Sequence, residues 1–190
     1  MKINDVLKSS KEEDMQNFLE NNSQLLVKAF CKNFPYGSKV LPKYKFGNEY
    51  VSDFVIISHV SHSFRVTLIE LEPPTEKIFT KSGVYGKRLN QAMKQIDDWI
   101  DWIENNYDYF LKGLQKNIDK DSRMFMFSQG GFRRCLINTV IIIGRREYLT
   151  AENDKRRSME YKKNKYNLDI TTYDRLVDIE AYLQSRDKSQ

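Results

Sequence analysis

Three acidic residues sit where a carboxylate is costly to keep. Asp53 lies inside the apolar run YVSDFVIIS at 50–58, and Glu70 and Glu72 close the run FRVTLIELE at 64–72. A carboxylate embedded in a strand of this kind must be paired, protonated or bound to a cation. Residues two apart in a strand share a face, so Glu70 and Glu72 project to the same side. A short turn joins the two runs and can bring Asp53 beside that pair. Three carboxylates on one face repel one another, and a hard divalent cation, Mg²⁺ or Mn²⁺, is the usual resolution. Such an ion could activate water toward a phosphodiester and offset the charge that develops. The alternative is a wet sheet face carrying solvated acids, which antiparallel meanders allow.

The elements that must position these acids follow from periodicity. Residues 11–30 place Met15, Phe18, Leu19, Leu25, Leu26 and Phe30 at helical spacing, with Ser9 or Ser10 as N-cap and a break at Asn21-Asn22-Ser23. After a turn at Pro35-Tyr36-Gly37, strands are expected at 39–46, 50–58 and 64–72, with hairpin turns at Gly47-Asn48 and at 59–63. A polar loop leads to one long helix over 87–114, whose apolar stripe is Leu89, Met93, Ile96, Trp99, Ile100 and Ile103. Gly130-Gly131 breaks the charged stretch that follows. The nearly continuous apolar run 135–144 predicts a strand buried on both faces. A basic helix at 150–165, a short strand at 167–170 and a closing helix from Thr172 complete the chain. This order predicts an α/β fold in which an antiparallel meander is extended across a helix by a further strand.

The chain has 190 residues, enough for one domain with a real core, and 40% of them are apolar. One domain over 1–190 is expected, its core at 10–176 and its last helix at 172–186. The formal net charge of +5 suits a polyanionic partner. Cys31 and Cys135 match no zinc spacing and no disulfide framework, which points to two buried thiols in a reducing compartment. The N-terminus carries no apolar targeting segment, and the longest apolar run, 136–143, is too short to cross a bilayer. A soluble, cytoplasmic protein without membrane partners or an organic cofactor is expected.

The motifs narrow this further. SDF at 52–54, LIELEPP at 68–74, KIFTKSG at 77–83, QAMKQIDDW at 91–99, VIIIGRR at 140–146 and TTYDRL at 171–176 together resemble the Shedu-type anti-phage nuclease domain, also called the DUF4263 family. That domain falls within the PD-(D/E)xK superfamily, and the resemblance runs in order from Glu12 to Leu176. It implies a restriction-endonuclease-like core with a central mixed sheet flanked by helices. It also implies a metal-dependent DNA endonuclease in bacterial defence, commonly a homo-oligomer. Asp53 and Glu70 match the metal-binding acids, and Glu12 or Glu13 matches an acid some members place in the first helix. Gln95 resembles the glutamine of the Gln-x-x-x-aromatic element, with Gln91 a second candidate one turn earlier. The third signature position, usually lysine, is Glu72 here. That leaves either a more acidic metal cluster or a degenerate site that binds without cutting, and Lys77 or Lys81 could supply a displaced cation.

Other residues carry weaker signals. His59 and His62 flank a turn and are expected at the surface. Trp99 is expected in the core, and Asp97, Asp98 and Asp101 on a solvated helix face. Arg145 and Arg146 follow the buried strand and could contact phosphate, or could end the strand in salt bridges. Lys155, Arg156, Arg157, Lys162, Lys163 and Lys165, with Tyr161 and Tyr166 among them, form either a solvated helix or a DNA backbone track.

Overall fold

The computed structural model describes residues 2–9, 11–31, 37–60, 63–118, 135–163 and 167–187, with side chains excepted at 59, 60, 63 and 158–163. Ser10, Pro35, Tyr36, His62, Gly130, Gly131, Lys165 and Tyr166 lie outside the described residues.

Strands β1 (Ser38–Phe46), β2 (Tyr50–Val60) and β3 (Ser63–Leu71) form an antiparallel meander. Strand β4 (Cys135–Ile142) adds in parallel to β3, and β5 (Leu168–Thr171) in parallel to β4. The sheet is therefore mixed and five-stranded, in the order β1-β2-β3-β4-β5. A parallel neighbour requires a crossover, and helices α4 (Lys87–Asn105) and α5 (Tyr107–Lys116) lie on the chain between β3 and β4.

Helices cover both faces, which is why the strands are apolar on both. Val55, Ile57, Val66 and Leu68 pack with Leu89, Ile96, Trp99 and Ile103 of α4. The alternate residues Phe54, Ile56, Ile69 and Leu71 pack against the other layer. That layer contains α1 (Ile3–Val6), α2 (Glu12–Asn21), α3 (Gln24–Phe30) and α7 (Asp174–Asp187), through Ile3, Met15, Leu26 and Leu176. A 3₁₀ turn at Arg146–Tyr148 and helix α6 (Ala151–Lys163) join β4 to β5.

Three expectations change. The single helix over 87–114 is broken at Asn106, whose side-chain amide donates to the Trp102 carbonyl at 2.9 Å. Asparagine competes in this way with the backbone ladder of a helix. The predicted serine cap of α2 is replaced by Lys11, and Ser9 bonds instead to the Asp14 carboxylate and, at 3.1 Å, to the Lys11 amide. Strand β4 is enclosed on both faces only in its second half, and Leu136 is half exposed.

Gly144 fastens the end of β4 to the loop after β3. Its amide donates to the Pro73 carbonyl at 3.3 Å, its φ is +64°, and a Cβ there would clash with the Glu76 carbonyl. Left-handed backbone and steric contact act together against any side chain. Gly144→Ala is expected to destabilise the fold by about 2–4 kcal/mol, read as a lower midpoint in urea unfolding.

Candidate functional site

The site grows out of an irregularity shared by β1 and β2. Leu41 and Phe46 are five residues apart yet pack into the same core, and so do Tyr50 and Val55. Strict two-residue alternation would put each pair on opposite faces. The alternation shifts phase between them, and on β1 the shift coincides with Lys43, whose φ is +45°. The ladder pairs Pro42 with Phe54 and Tyr44 with Ser52, and skips the intervening Lys43 and Asp53. Freed from the ladder, the two side chains meet: Lys43 Nζ lies 2.5 Å from Asp53 Oδ1.

Asp53 is buried and held from both sides. Its Oδ2 accepts the Leu71 amide of β3 at 2.7 Å. On α2, Gln16 donates at 3.4 Å to the Asp53 carbonyl and at 2.8 Å to Glu20. The β2–β3 register ends on Phe54 opposite Ile69, so its next step sets Asp53 beside Glu70. Glu70 is buried on the same side as Val66 and Leu68, and its Oε2 has no hydrogen-bond partner.

Glu72 lies just past β3. Its amide donates to Ile142 of β4 at 2.9 Å, and its carbonyl accepts the hydroxyl of the fully buried Tyr173 at 2.9 Å. Its side chain turns toward Arg88 at the start of α4, with 3.9 Å between Oε2 and Nη1. Glu12, half-buried at the first position of α2, sits within electrostatic reach of Asp53, Lys43 and Arg88, whereas Glu13 is exposed.

Charge crowding shows in the titration of these groups. Burial first, then the charges of Asp53, Glu12 and Glu72, push the Glu70 carboxyl up to about 10, with Lys43 opposing. Burial raises Glu72 to about 7 against the pull of Arg88. Burial and Asp53 raise Glu12 as well, and burial followed by the acids' combined charge pushes the Tyr173 phenol well above its ordinary range.

These residues fit a hard cation in part. Mg²⁺ is commonly held by one or two carboxylates and keeps several waters. Asp53 and the unpartnered Glu70 Oε2 supply donors of that kind. Among the described residues, no group of three or more His, Cys, Asp or Glu side chains is arranged to hold an ion. The expected set of Asp53, Glu70 and Glu72 is therefore not drawn together as a group of three, although Glu72 Oε2, 3.9 Å from Arg88, is likewise buried without a hydrogen-bond partner.

A family model described as "Shedu protein SduA, C-terminal" matches residues 9–177. The chain belongs to the Shedu SduA C-terminal family. Membership of the Shedu family suggests a role in anti-phage defence. No curated protein matches the chain.

In this Shedu domain the other anticipated residues are more dispersed. Gln95 is half-buried and Gln91 exposed on α4, and among the described residues neither hydrogen-bonds to the three acids. Arg145 donates to both Asp174 carboxylate oxygens at 3.0–3.3 Å, and Arg146 pairs with Asp178 at 2.6 Å. The salt-bridged alternative for this arginine pair is thus the arrangement present. Arg157 pairs with Asp154 at 2.6 Å and donates to the Ile170 carbonyl. Arg156 donates to the Gly83 carbonyl and stacks over Phe79 and Tyr85, at 5.3 and 5.8 Å. Lys155 is exposed on α6, and Lys162 and Lys163 lie on its last turn. Lys77 stands over the Tyr148 ring at 5.6 Å and Lys81 is exposed, so the cation beside Asp53 comes from neither. Lys43, Arg88, Gln16 and Tyr173 were not anticipated. The proline-broken edge strand PKYKF was the one available hint of an irregular backbone at Lys43.

Glu70 binds its proton more tightly in the folded chain than in the unfolded one, where its carboxyl titrates near 4.5. That contribution to stability is complete below pH 4.5 and is lost as pH rises toward the folded value of about 10. Glu72 adds to the loss between 4.5 and about 7. In chelator, the melting temperature is expected to fall steadily from about pH 5 to about pH 9, and Glu70→Gln to flatten that slope. A cation must displace the same proton, so Mn²⁺ affinity measured by calorimetry is expected to rise over this range.

Proposed function

We propose that this chain is a metal-dependent DNA endonuclease domain with a PD-(D/E)xK-type core, hydrolysing phosphodiester bonds in anti-phage defence. The observation that carries this reading is the placement of buried Asp53 and Glu70 one step beyond the last β2–β3 ladder pair, within electrostatic reach of each other and with a Glu70 oxygen left unpartnered. When bound, Mg²⁺ or Mn²⁺ would supply Lewis acidity and a more acidic water.

The chain's own residues account for the rest. The Leu71 amide and Lys43 fix Asp53 so that its oxygens keep one orientation. Glu12 adds negative potential from the second layer, which favours a cation over an anion at the sheet end. Tyr173 and Ile142 anchor the backbone of Glu72, so the strand end cannot splay. The net charge of +5 favours DNA through phosphate contacts, for which Lys155, Lys162 and Lys163 of α6 are candidates. A cytoplasmic homo-oligomer is part of this proposal.

One observation favours a second reading, a degenerate nuclease fold that binds without cutting. Glu72 stands at the position where the superfamily usually has lysine, and it faces Arg88 rather than joining the other two acids. Plasmid cleavage separates the two. The nuclease reading predicts nicking or linearisation with Mg²⁺ or Mn²⁺, abolished by EDTA and reduced by about a thousandfold in Asp53→Asn and Glu70→Gln. Salt-dependent DNA binding that ignores EDTA, with no cleavage under any metal, would favour the degenerate fold.

A further inference from the structure

Of the cations near the acids, Arg88 stands 3.9 Å from Glu72 and is more than half exposed. Lys43 alone among the described lysines is paired with Asp53, at 2.5 Å, and half of its side chain is exposed on the open side of the pair. It therefore touches the proposed centre and the solvent from which a polyanion would arrive.

The backbone gives this placement its meaning. A lysine in the left-handed region costs about 1–2 kcal/mol relative to ordinary strand geometry, and such costs gather where a side chain must be aimed. Regular strand backbone would carry residue 43 through the ladder. The observed φ of +45° takes it out of the ladder and sets its ammonium against Asp53.

We infer that Lys43, reaching across from β1, supplies the positive charge that the signature position of β3 lacks in this chain. Its ammonium would stand beside the bound cation and steady the water and the phosphate during hydrolysis. The inference rests on the nuclease reading above and assigns one more residue to that site. Lys43 acts as a fixed cation, with no proton transfer required of it.

The test uses the full chain and four proteins: wild type, Lys43→Asn, Glu72→Lys and the double variant. Asparagine accepts left-handed backbone, so it removes the charge and keeps the strand geometry. Lys43→Asn is expected to cut plasmid about 100-fold more slowly, with the loss in kcat rather than KM. Its Mn²⁺ affinity, measured by calorimetry, is expected to equal or exceed that of wild type, because a competing cation has left Asp53. A residue that merely held Asp53 in place would weaken Mn²⁺ binding when replaced. Returning lysine to β3 in the double variant is expected to restore cleavage to within about tenfold of wild type.

Cleavage by Lys43→Asn within about threefold of wild type would overturn the assignment. So would weaker Mn²⁺ binding, or a double variant that melts like wild type and does not recover. If Lys43→Asn does not fold, Lys43→Gly, which also tolerates the backbone, is measured against the same criteria. Absence of cutting by wild type itself would sink the nuclease reading and this assignment with it, whereas cutting by wild type with Lys43→Asn unimpaired would overturn the assignment alone.

Discussion

Two carboxyl groups with little access to water, set beside each other where β2 and β3 run out of ladder, constrain the construction around them. Ionising both without compensation would cost several kcal/mol. The fold answers in two ways. Asp53 receives a backbone amide and an ammonium, whereas Glu70 receives neither on its buried oxygen and holds its proton instead. That asymmetry is informative. A pair kept for stability would satisfy both members, since a buried carboxyl oxygen without a partner is costly and an apolar residue in its place is often harmless. Leaving one member short of a partner is more readily understood as room for something that binds.

The irregular strand pair is the mechanical counterpart of this electrostatics. Once β1 and β2 shift phase together, they stay in register on both sides of the defect, so the sheet loses one residue pair and keeps its closure on β3. The aromatic residues beyond the shift, Tyr44, Phe46 and Tyr50, still reach the core formed with Trp99 and Phe110. The defect is therefore enclosed by good packing, the condition under which an unfavourable backbone conformation persists.

Much of this was legible in the chain itself. The two-sided apolar runs of β2 and β3 and the stripe of α4 gave the layers, because burial on one face or two leaves different periodicities. Asp53 and Glu70 stood out as charges inside those runs. Lys43 did not, since the proline before it hints at an irregular strand but does not say where the lysine side chain goes until the register and the backbone angle are known. Tyr173 looked like the start of a helix, and its hydroxyl bond to the Glu72 carbonyl depends on tertiary packing. Asn106 lay within a helix expected to run on to 114, and a local hydrogen bond interrupted it. The arginines after β4 show the converse: their charge was plain, but Asp174 and Asp178, which absorb it, come from α7.

The hydroxyl of Tyr173 reaches a carbonyl 101 positions earlier in the chain. During synthesis, then, Asp53 meets Lys43 and Leu71 early, whereas Glu72 leaves the ribosome long before the two groups that hold its backbone. Ile142 arrives first and Tyr173 only near the end of the described chain, so the last acid is locked in place when β5 and α7 dock. A nascent chain carries the charges without their arrangement. Whatever this site does to a polyanion in the cell, the order in which its parts emerge withholds that ability until the domain is almost complete.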